Sequence, residues 1–390
     1  MTHTPASSFS PADQAAMALA IAQAEQAIGL TDPNPRVGCV LVGRDGQLLG
    51  QGHTQQAGGP HAEVMAMRQA RAAGHDLRGA TAYVTLEPCA HHGRTPPCAD
   101  ALVEAGLGRV VAALVDPFAQ VAGQGLARLA RAGIVTSVGL MADEARAQNI
   151  GFLSRVLRQR PWVRLKVAGS LDGRTALPNG VSQWITGPAA RADGHAWRRR
   201  ASAVLTGIGT VLADDPGLDV RLVPTPRQPW RVVLDSRLRT PVGARLLDGP
   251  GETLICTLAS PAEQDRWRQS LPHRPEAAGR VTLLEATPDA RGRPALPPLL
   301  QELARRGVNE LHVEAGAELA GALIEAGLVD EYLFYLAPSL LGPGRPLAAL
   351  GPYERLEQAR LLRWQSVSPV GDDLRLIARP ADQDLSWLAS

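Results

Sequence analysis

Two short motifs between Pro60 and Cys98 restrict this chain more than any other stretch. They are Pro60-His61-Ala62-Glu63 and Leu86-Glu87-Pro88-Cys89-Ala90-His91-His92-Gly93-Arg94-Thr95-Pro96-Pro97-Cys98. One imidazole and two thiolates form a three-ligand set that holds zinc and keeps a fourth position open. His61 and Glu63 are two residues apart, so on an ideal helix they point to different sides. Both approach one ion only if it lies off the helix N-terminus. Pro60 suits a helix start, and residues 64–70 continue it. Pro97-Cys98 likewise opens a helix over residues 99–105 that Gly106 ends. A thiolate at Cys98 is favoured there by the helix dipole.

His61, Glu63 and Cys89 fit the HxE…PCxxC pattern of zinc deaminases, in which the Glu carries protons and is not a ligand. Cys98 departs from it, lying nine positions after Cys89 instead of three. Taken singly, these residues are core cysteines and a surface histidine, and a structural zinc with His91 or His92 as fourth ligand is a further reading. The whole pattern, HAE with LEPCAHHGRTPPC, resembles the deaminase half of the bifunctional riboflavin-biosynthesis enzymes.

The chain has 390 residues, room for two ordinary domains. It contains no uninterrupted apolar run of about eighteen residues, so no transmembrane span is expected. The Ala-rich segment 11–28 carries Asp13 and Glu25 with no basic leader before it, and reads as an amphipathic helix rather than a signal peptide. Cys39, Cys89, Cys98 and Cys256 are too few for a disulfide framework, and two belong to the metal motif. A reducing, cytoplasmic setting is expected. With a net charge of +2 there is no electrostatic footprint for nucleic acid. Lys166 is the only lysine among 40 basic residues. A compact ammonium there does what a guanidinium fork cannot.

Along the chain, residues 31–36 form a turn and residues 37–42 a strand. Asn34 sits in that turn, where its amide suits either turn chemistry or a pyrimidine edge; His53 is a weaker pocket candidate. Residues 82–86 and 110–115 are strands, and strands alternating with helices indicate an α/β layered domain. Residues 148–161 carry no motif, which puts a domain boundary at 150. The expected division is 1–150, 151–378 and a tail from 379 to 390.

Past the boundary, residues 162–168 read as a buried strand followed by a loop. The motif Lys166-x-Ala168-x-Ser170-Leu171-Asp172-Gly173-Arg174-Thr175-Ala176 is similar to the start of the reductase half of the same bifunctional family. Ser182-Gln183-Trp184-Ile185-Thr186-Gly187, Arg198 and residues 205–216 follow in the family's order. The turn at Gly207-x-Gly209 lets backbone N–H groups approach a pyrophosphate. Ser236-Arg237 ends a strand, where Arg237 is either a 2′-phosphate contact or a surface charge. Residues 310–319 are strand, Gly-turn and helix, with Glu314 at the strand end and Glu318 on the surface.

The resemblance implies an α/β protein with an N-terminal cytidine-deaminase-like three-layer domain and a C-terminal domain resembling dihydrofolate reductase. It implies zinc on His61, Cys89 and Cys98, with Glu63 as proton carrier. It implies NADPH on Ala168, Trp184, Thr210, Asp214, Ser236 and Gly316. The substrate contacts implied are Asn34, Lys166, Ser182, Arg198, Leu218, Arg221 and Glu314, with Arg198 and Arg221 as phosphate partners. The substrate implied is 2,5-diamino-6-(5-phosphoribosylamino)pyrimidin-4-one, deaminated and then reduced from ribosyl to ribityl. Gln55 and Gln56 stand where the family leads one to expect a basic residue, and Arg94 is a substitute. A polynucleotide or nucleoside deaminase, or a zinc-binding scaffold without catalysis, are the alternatives; the reductase-like half and intact Glu63 argue against them. A small-molecule substrate, no nucleic acid or membrane partner, and a homodimer complete the expectation.

Overall fold

The computed structural model describes residues 9–90, 97–118, 122–272 and 280–389; His91, His92 and Arg94 lie outside the described residues. The chain divides into two compact units, one running to Arg158 and taking in the residues from Ser386, the other spanning Gln159–Leu385. The division falls at Arg158 rather than at 150 because Ile150–Arg158 is a helix whose Phe152 and Leu153 are buried in the first core. The tail is shared out as well. Arg379 and Pro380 end a strand of the second unit, whereas Trp387 and Leu388 pack on the first core.

The first unit runs α1 (Pro11–Gln26), β1 (Gly38–Val42), β2 (Leu48–His53), α2 (Ala62–Ala72), β3 (Thr81–Val84), α3 (Cys98–Glu104), β4 (Arg109–Ala112), α4 (Gln124–Arg131), β5 (Val135–Val138), α5 (Ala142–Gln148) and α6 (Ile150–Arg158). Its sheet has the order β2-β1-β3-β4-β5. β1 is antiparallel to both neighbours, and β3, β4 and β5 are parallel. Consecutive residues Cys39, Val40 and Leu41 are all fully buried. Successive side chains on a strand face opposite ways, so helices cover both faces of the sheet at β1, as a three-layer domain requires.

Ser10 and Asp13 cap α1 reciprocally. Asp13 also accepts from Tyr83 Oη at 2.8 Å and Arg109 at 2.7 Å, which ties the helix start to β3 and β4. Two glycines in β2 set how closely α2 lies on the sheet. A Cβ at Gly50 would stand 2.4 Å from the Ala66 carbonyl oxygen, and one at Gly52 would stand 2.5 Å from Met65 Cβ. The helix that begins at the metal motif therefore rests directly on backbone.

The second unit runs β6 (Trp162–Ser170), β7 (Arg174–Ala176), α7 (Pro188–Arg200), β8 (Ala203–Gly207), α8 (Ile208–Asp214), β9 (Trp230–Leu234), α9 (Arg245–Asp248), β10 (Thr253–Thr257), α10 (Pro261–Gln269), β11 (Val281–Glu285), α11 (Leu296–Arg305), β12 (Glu310–Val313), α12 (Ala317–Glu325), β13 (Glu331–Ala337), β14 (Arg345–Pro346), β15 (Leu362–Val370) and β16 (Asp373–Pro380). Nine strands form one sheet in the order β11-β10-β9-β8-β12-β6-β13-β16-β15. It is parallel as far as β13, and β16 and β15 are added antiparallel. Central strands such as Val204-Leu205 and Val232-Val233 are continuous apolar runs with no exposure, as expected where helices cover both faces. Arg164 on β6 pairs with Glu310 of β12 at 2.8 Å and Glu331 of β13 at 2.5 Å, so three neighbouring strands share one buried charge network.

Candidate active sites

The motif residues converge at the start of α2. His61 is its N-cap residue and Glu63 lies in its first turn, the arrangement that a two-residue spacing demands for one ion. His61 Nδ1 stands 3.6 Å from Cys89 Sγ and 3.3 Å from Cys98 Sγ. Tetrahedral zinc, with Zn–S about 2.3 Å and Zn–N about 2.0 Å, has ligand-to-ligand edges of about 3.5 Å. The donors fit that ion in both spacing and chemistry.

Charge in this cluster is unevenly held. The backbone N–H of Cys98, at the start of α3, donates to Cys89 Sγ at 3.3 Å. The bond from the Cys98 thiol, followed by that with His61, pulls Cys89 down to about 4. The same thiol–thiolate bond, with burial, pushes Cys98 up. The helix start thus stabilises a thiolate on Cys89, where the sequence alone directs attention to Cys98. Glu63 is 3% exposed. Burial pushes its carboxyl up to about 7, with Cys89 adding to the shift and His61 opposing it.

Glu87, two residues before Cys89, has a structural part. Its carboxylate accepts from the backbone N–H groups of Asp116, Gly123, Gly125 and Leu126 at 2.8–3.1 Å. It pins the loop after β4 and the start of α4 against the Pro88-Cys89 turn. A cavity of 520 Å³, within the usual range for small-ligand sites, is lined by Asn34, His61, Glu63 and Cys89. Asn34 also closes the expected turn, donating its N–H to Thr31 at 2.9 Å. His53 is not among the lining residues, and burial lowers its basicity. Gln55 turns its amide to the His53 carbonyl at 2.9 Å.

In the second unit, Lys166, Arg198 and Glu314 meet on one face of the sheet. Lys166 Nζ lies 4.0 Å from Glu314 Oε2 and 5.9 Å from the centre of the Tyr335 ring. Arg198 donates to Glu314 through Nε and Nη2 and to the Asp219 carbonyl through Nη1 at 2.9 Å. Burial lowers Lys166, with Arg198 adding and Glu314 opposing. Burial by itself would raise Glu314, but Arg198 and then Lys166 hold it well below the usual carboxylate range. Tyr335 donates to Asp193 at 2.5 Å, and Arg375 holds that aspartate from the other side.

The Gly-turns after β8 and β12 come together. A Cβ at Gly316, the N-cap residue of α12, would have only Thr210 Oγ1 near it, at 4.0 Å, and one at Gly209 would meet nothing within 4 Å. That open space over two backbone turns, at the C-terminal ends of adjacent parallel strands, fits the phosphates of a dinucleotide. Ala168 is on β6 beside Tyr335. Leu218 is buried with φ 50° and precedes Asp219 and Arg221, which pair at 2.6 Å. Ser182 is half-buried; Trp184 is exposed with Arg191 stacked 4.5 Å over its ring. Asp214 is exposed at the end of α8, and Ser236 is half-buried after β9. Among the described residues, no hydrogen bond or ion pair ties Trp184, Asp214 or Ser236 to the Lys166 cluster.

Comparison with known proteins adds the lineage. Residues 10–114 match the cytidine and deoxycytidylate deaminase zinc-binding region, and residues 161–374 match the RibD C-terminal domain. The riboflavin biosynthesis protein RibD of Escherichia coli K12 is 45% identical over 377 residues, covering 93% of this chain and 98% of that protein. The chain belongs to the RibD family. The RibD of Mycobacterium tuberculosis H37Rv is 39% identical over 93% of this chain and 95% of its own length. The Acinetobacter baumannii RibD structure superposes with a TM-score of 0.84 at 42% identity, covering 95% of this chain and 99% of that one. A Thermotoga maritima deaminase/reductase does so with 0.82 at 31% identity and the same coverage. As a RibD-family member the chain is a bifunctional deaminase and reductase of riboflavin biosynthesis that uses zinc and NADPH. These full-length matches decide against an unrelated accessory domain or a scaffold.

Sequence reading missed several residues at these sites. Phe118, Phe152 and Arg155 line the deaminase cavity. Phe152 and Arg155 carry a usable signal, an i, i+3 pair on a helix, but they sit in the stretch that carries no motif, where the domain boundary is expected. Asp193 and His195 on α7, and His312 between the charges of β6 and β12, carry none.

Proposed function

We propose that the first unit deaminates 2,5-diamino-6-(5-phosphoribosylamino)pyrimidin-4-one and that the second reduces the resulting 5-amino-6-(5-phosphoribosylamino)uracil to its ribityl form. The Thermotoga maritima relative is a diaminohydroxyphosphoribosylaminopyrimidine deaminase and 5-amino-6-(5-phosphoribosylamino)uracil reductase. The observation that carries the reading is buried Glu63, beside the His61, Cys89 and Cys98 donor set, in a cavity that also presents Asn34.

Zinc, when bound by His61, Cys89 and Cys98, supplies the Lewis acidity that makes water a nucleophile near neutral pH. Glu63 takes a proton from the attacking water and returns one to the departing ammonia. The carbon that loses nitrogen gains oxygen, and no electrons are exchanged. Asn34 pairs with the pyrimidine edge and Glu87 keeps the Cys89 turn in place.

NADPH, which Ala168, Trp184, Thr210, Asp214, Ser236 and Gly316 would hold, would supply hydride to the ribosyl C1′ as its bond to the ring oxygen opens, with a proton from solvent taken up by that oxygen. Lys166, Ser182, Leu218, Arg221 and Glu314 contact the substrate. Lys166, the single lysine, presents a partly desolvated ammonium beside Glu314. The proposed part of Arg198 changes: all three of its guanidinium nitrogens go to Glu314 and the Asp219 carbonyl. It acts as the residue that orients Glu314; Arg221, paired with Asp219 at 2.6 Å but with its side chain 49% exposed, remains the phosphate partner.

The protein is read as a cytoplasmic homodimer. Trp364 and Val367 on the edge strand β15 are 57% and 56% exposed, an apolar strand edge of the kind that self-association covers. The four cysteines are free, which suits a reducing compartment. The test of the catalytic reading supplies zinc-loaded protein with NADPH and the diaminopyrimidine phosphate. Ammonia release should precede NADPH oxidation, and supplied uracil compound should be reduced at once without ammonia. NADPH oxidation on the diamino compound with no ammonia would sink it.

A further inference from the structure

We propose that His195 is a specificity-determining positioning residue of the reductase: together with Gln228 it fixes Arg221 relative to Glu314, and so selects a substrate that carries a 5-phosphate. The inference rests on the reductase substrate given above. Asp219, Val220 and Arg221 belong to no helix or strand, yet the backbone of each is held by a side chain from elsewhere in the second unit. Arg198 Nη1 donates to the Asp219 carbonyl at 2.9 Å. The Gln228 amide takes both backbone groups of Val220, accepting from its N–H at 2.7 Å and donating to its carbonyl at 2.8 Å. His195 Nδ1 accepts from the Arg221 N–H at 3.2 Å.

One helix face sets this segment. His195 and Arg198 are i, i+3 neighbours on α7, and the guanidinium that holds Asp219 also grips Glu314. A single rigid element therefore fixes both the carboxylate beside Lys166 and the backbone of Arg221. Burial alternates along the segment: Leu218 and Val220 are buried, whereas Asp219 is half-buried and Arg221 is exposed. In extended backbone that alternation puts Asp219 and Arg221 on the face away from the core, where they pair at 2.6 Å. The Asp219 carboxylate aligns the guanidinium without covering it, and its planar fork of donors suits phosphate oxygens. His195 accepts at Nδ1 only as the neutral ring with its proton on Nε2. Its side chain is buried. Burial, followed by Arg198 of its own helix and Arg221, brings it down to about 4 against the opposing pull of Glu314 and Asp219, so the acceptor is present throughout the neutral range.

The experiment measures steady-state NADPH oxidation by full-length protein on 5-amino-6-(5-phosphoribosylamino)uracil and on its dephosphorylated counterpart. For His195→Leu, KM for the phosphorylated compound should rise about 3- to 10-fold, the worth of one hydrogen bond. Its kcat, its KM for NADPH and its KM for the dephosphorylated compound should stay at the native values. His195→Asn, which keeps an acceptor close to the place of Nδ1, should recover most of the discrimination. Gln228→Leu, which removes both bonds to Val220, should show the same selective loss and decides the matter if His195→Leu does not fold. An equal loss on both compounds would reduce these residues to packing of α7 and its neighbours. Unchanged KM for both compounds would mean that Arg221 is held without them, and either result overturns the inference while leaving the reductase reading intact. Native protein that reduces neither compound would remove that reading, and this inference with it.

Discussion

Arg198 grips both carboxylate oxygens of Glu314, Nη2 reaching Oε2 at 2.9 Å, across the gap between α7 and the end of β12. The pair is nearly sequestered, with side-chain exposures of 14% and 16%. Removing one partner of such a pair leaves a buried charge without compensation and costs about 3–5 kcal/mol. Arg198→Leu should therefore lower the stability of the second unit by about that amount and abolish NADPH oxidation, while ammonia release persists. Chemical denaturation and the two product assays check it; retained reductase activity would show that Glu314 is oriented by something else.

A small change in β2 should reach the metal donors. In Gly52→Ala the new Cβ meets Met65 Cβ at 2.5 Å and Ala66 N at 2.7 Å, so α2 has to move. Overpacking of this kind costs about 1–3 kcal/mol. His61 and Glu63 begin that helix, and the expected outcome is weaker zinc retention against a competing chelator, with reduction of supplied uracil compound unchanged. Native zinc retention would mean that the donor set does not depend on the helix seat.

Asp13 should make the first unit sensitive to acid. Burial alone would raise its carboxyl, but bonds from Ser10, Tyr83 and Arg109 bring it from 3.8 to about 2. A depressed folded-state value stabilises above the unfolded pKa and is lost as pH falls through the folded one. The contribution, about 2 kcal/mol, is thus complete above roughly pH 4 and fades toward about 2. Asp13→Asn should be less stable than native at neutral pH, and the gap should close over that window. A gap independent of pH would rule out the charged bonds as its source.

Much of this was legible in the sequence where chemistry and local geometry coincide. Pro60 and Pro97 announced the two helix starts that bring His61 and Cys98 together, and Lys166 stood out as the single lysine. The part that was hidden depends on what lies across the fold. Arg155 sits in a motif-free stretch with Arg158 and Arg160 that reads as a domain boundary, because a helix turned toward a cavity looks locally like one turned toward solvent. Arg198 and Glu314 are both implied by the family motif, but that they pair with each other is not visible in the sequence, where they lie far apart. Cys98 drew the helix-dipole argument, yet the N–H at the start of α3 points at Cys89, which only the path of the loop determines. β2 went unread because Gly50 and Gly52, which make it a seat for α2, look like turn residues.

The decisive assay compares native protein with Glu63→Gln, after confirming equal zinc content, for ammonia release from the diaminopyrimidine phosphate and NADPH oxidation on the deaminated product. Glu63 as proton carrier predicts ammonia release lowered by about 100-fold or more, with NADPH oxidation on the supplied product at the native rate. Ammonia release at the native rate in the zinc-loaded variant would contradict the assignment of Glu63 and, with it, the deaminase mechanism proposed for this cavity.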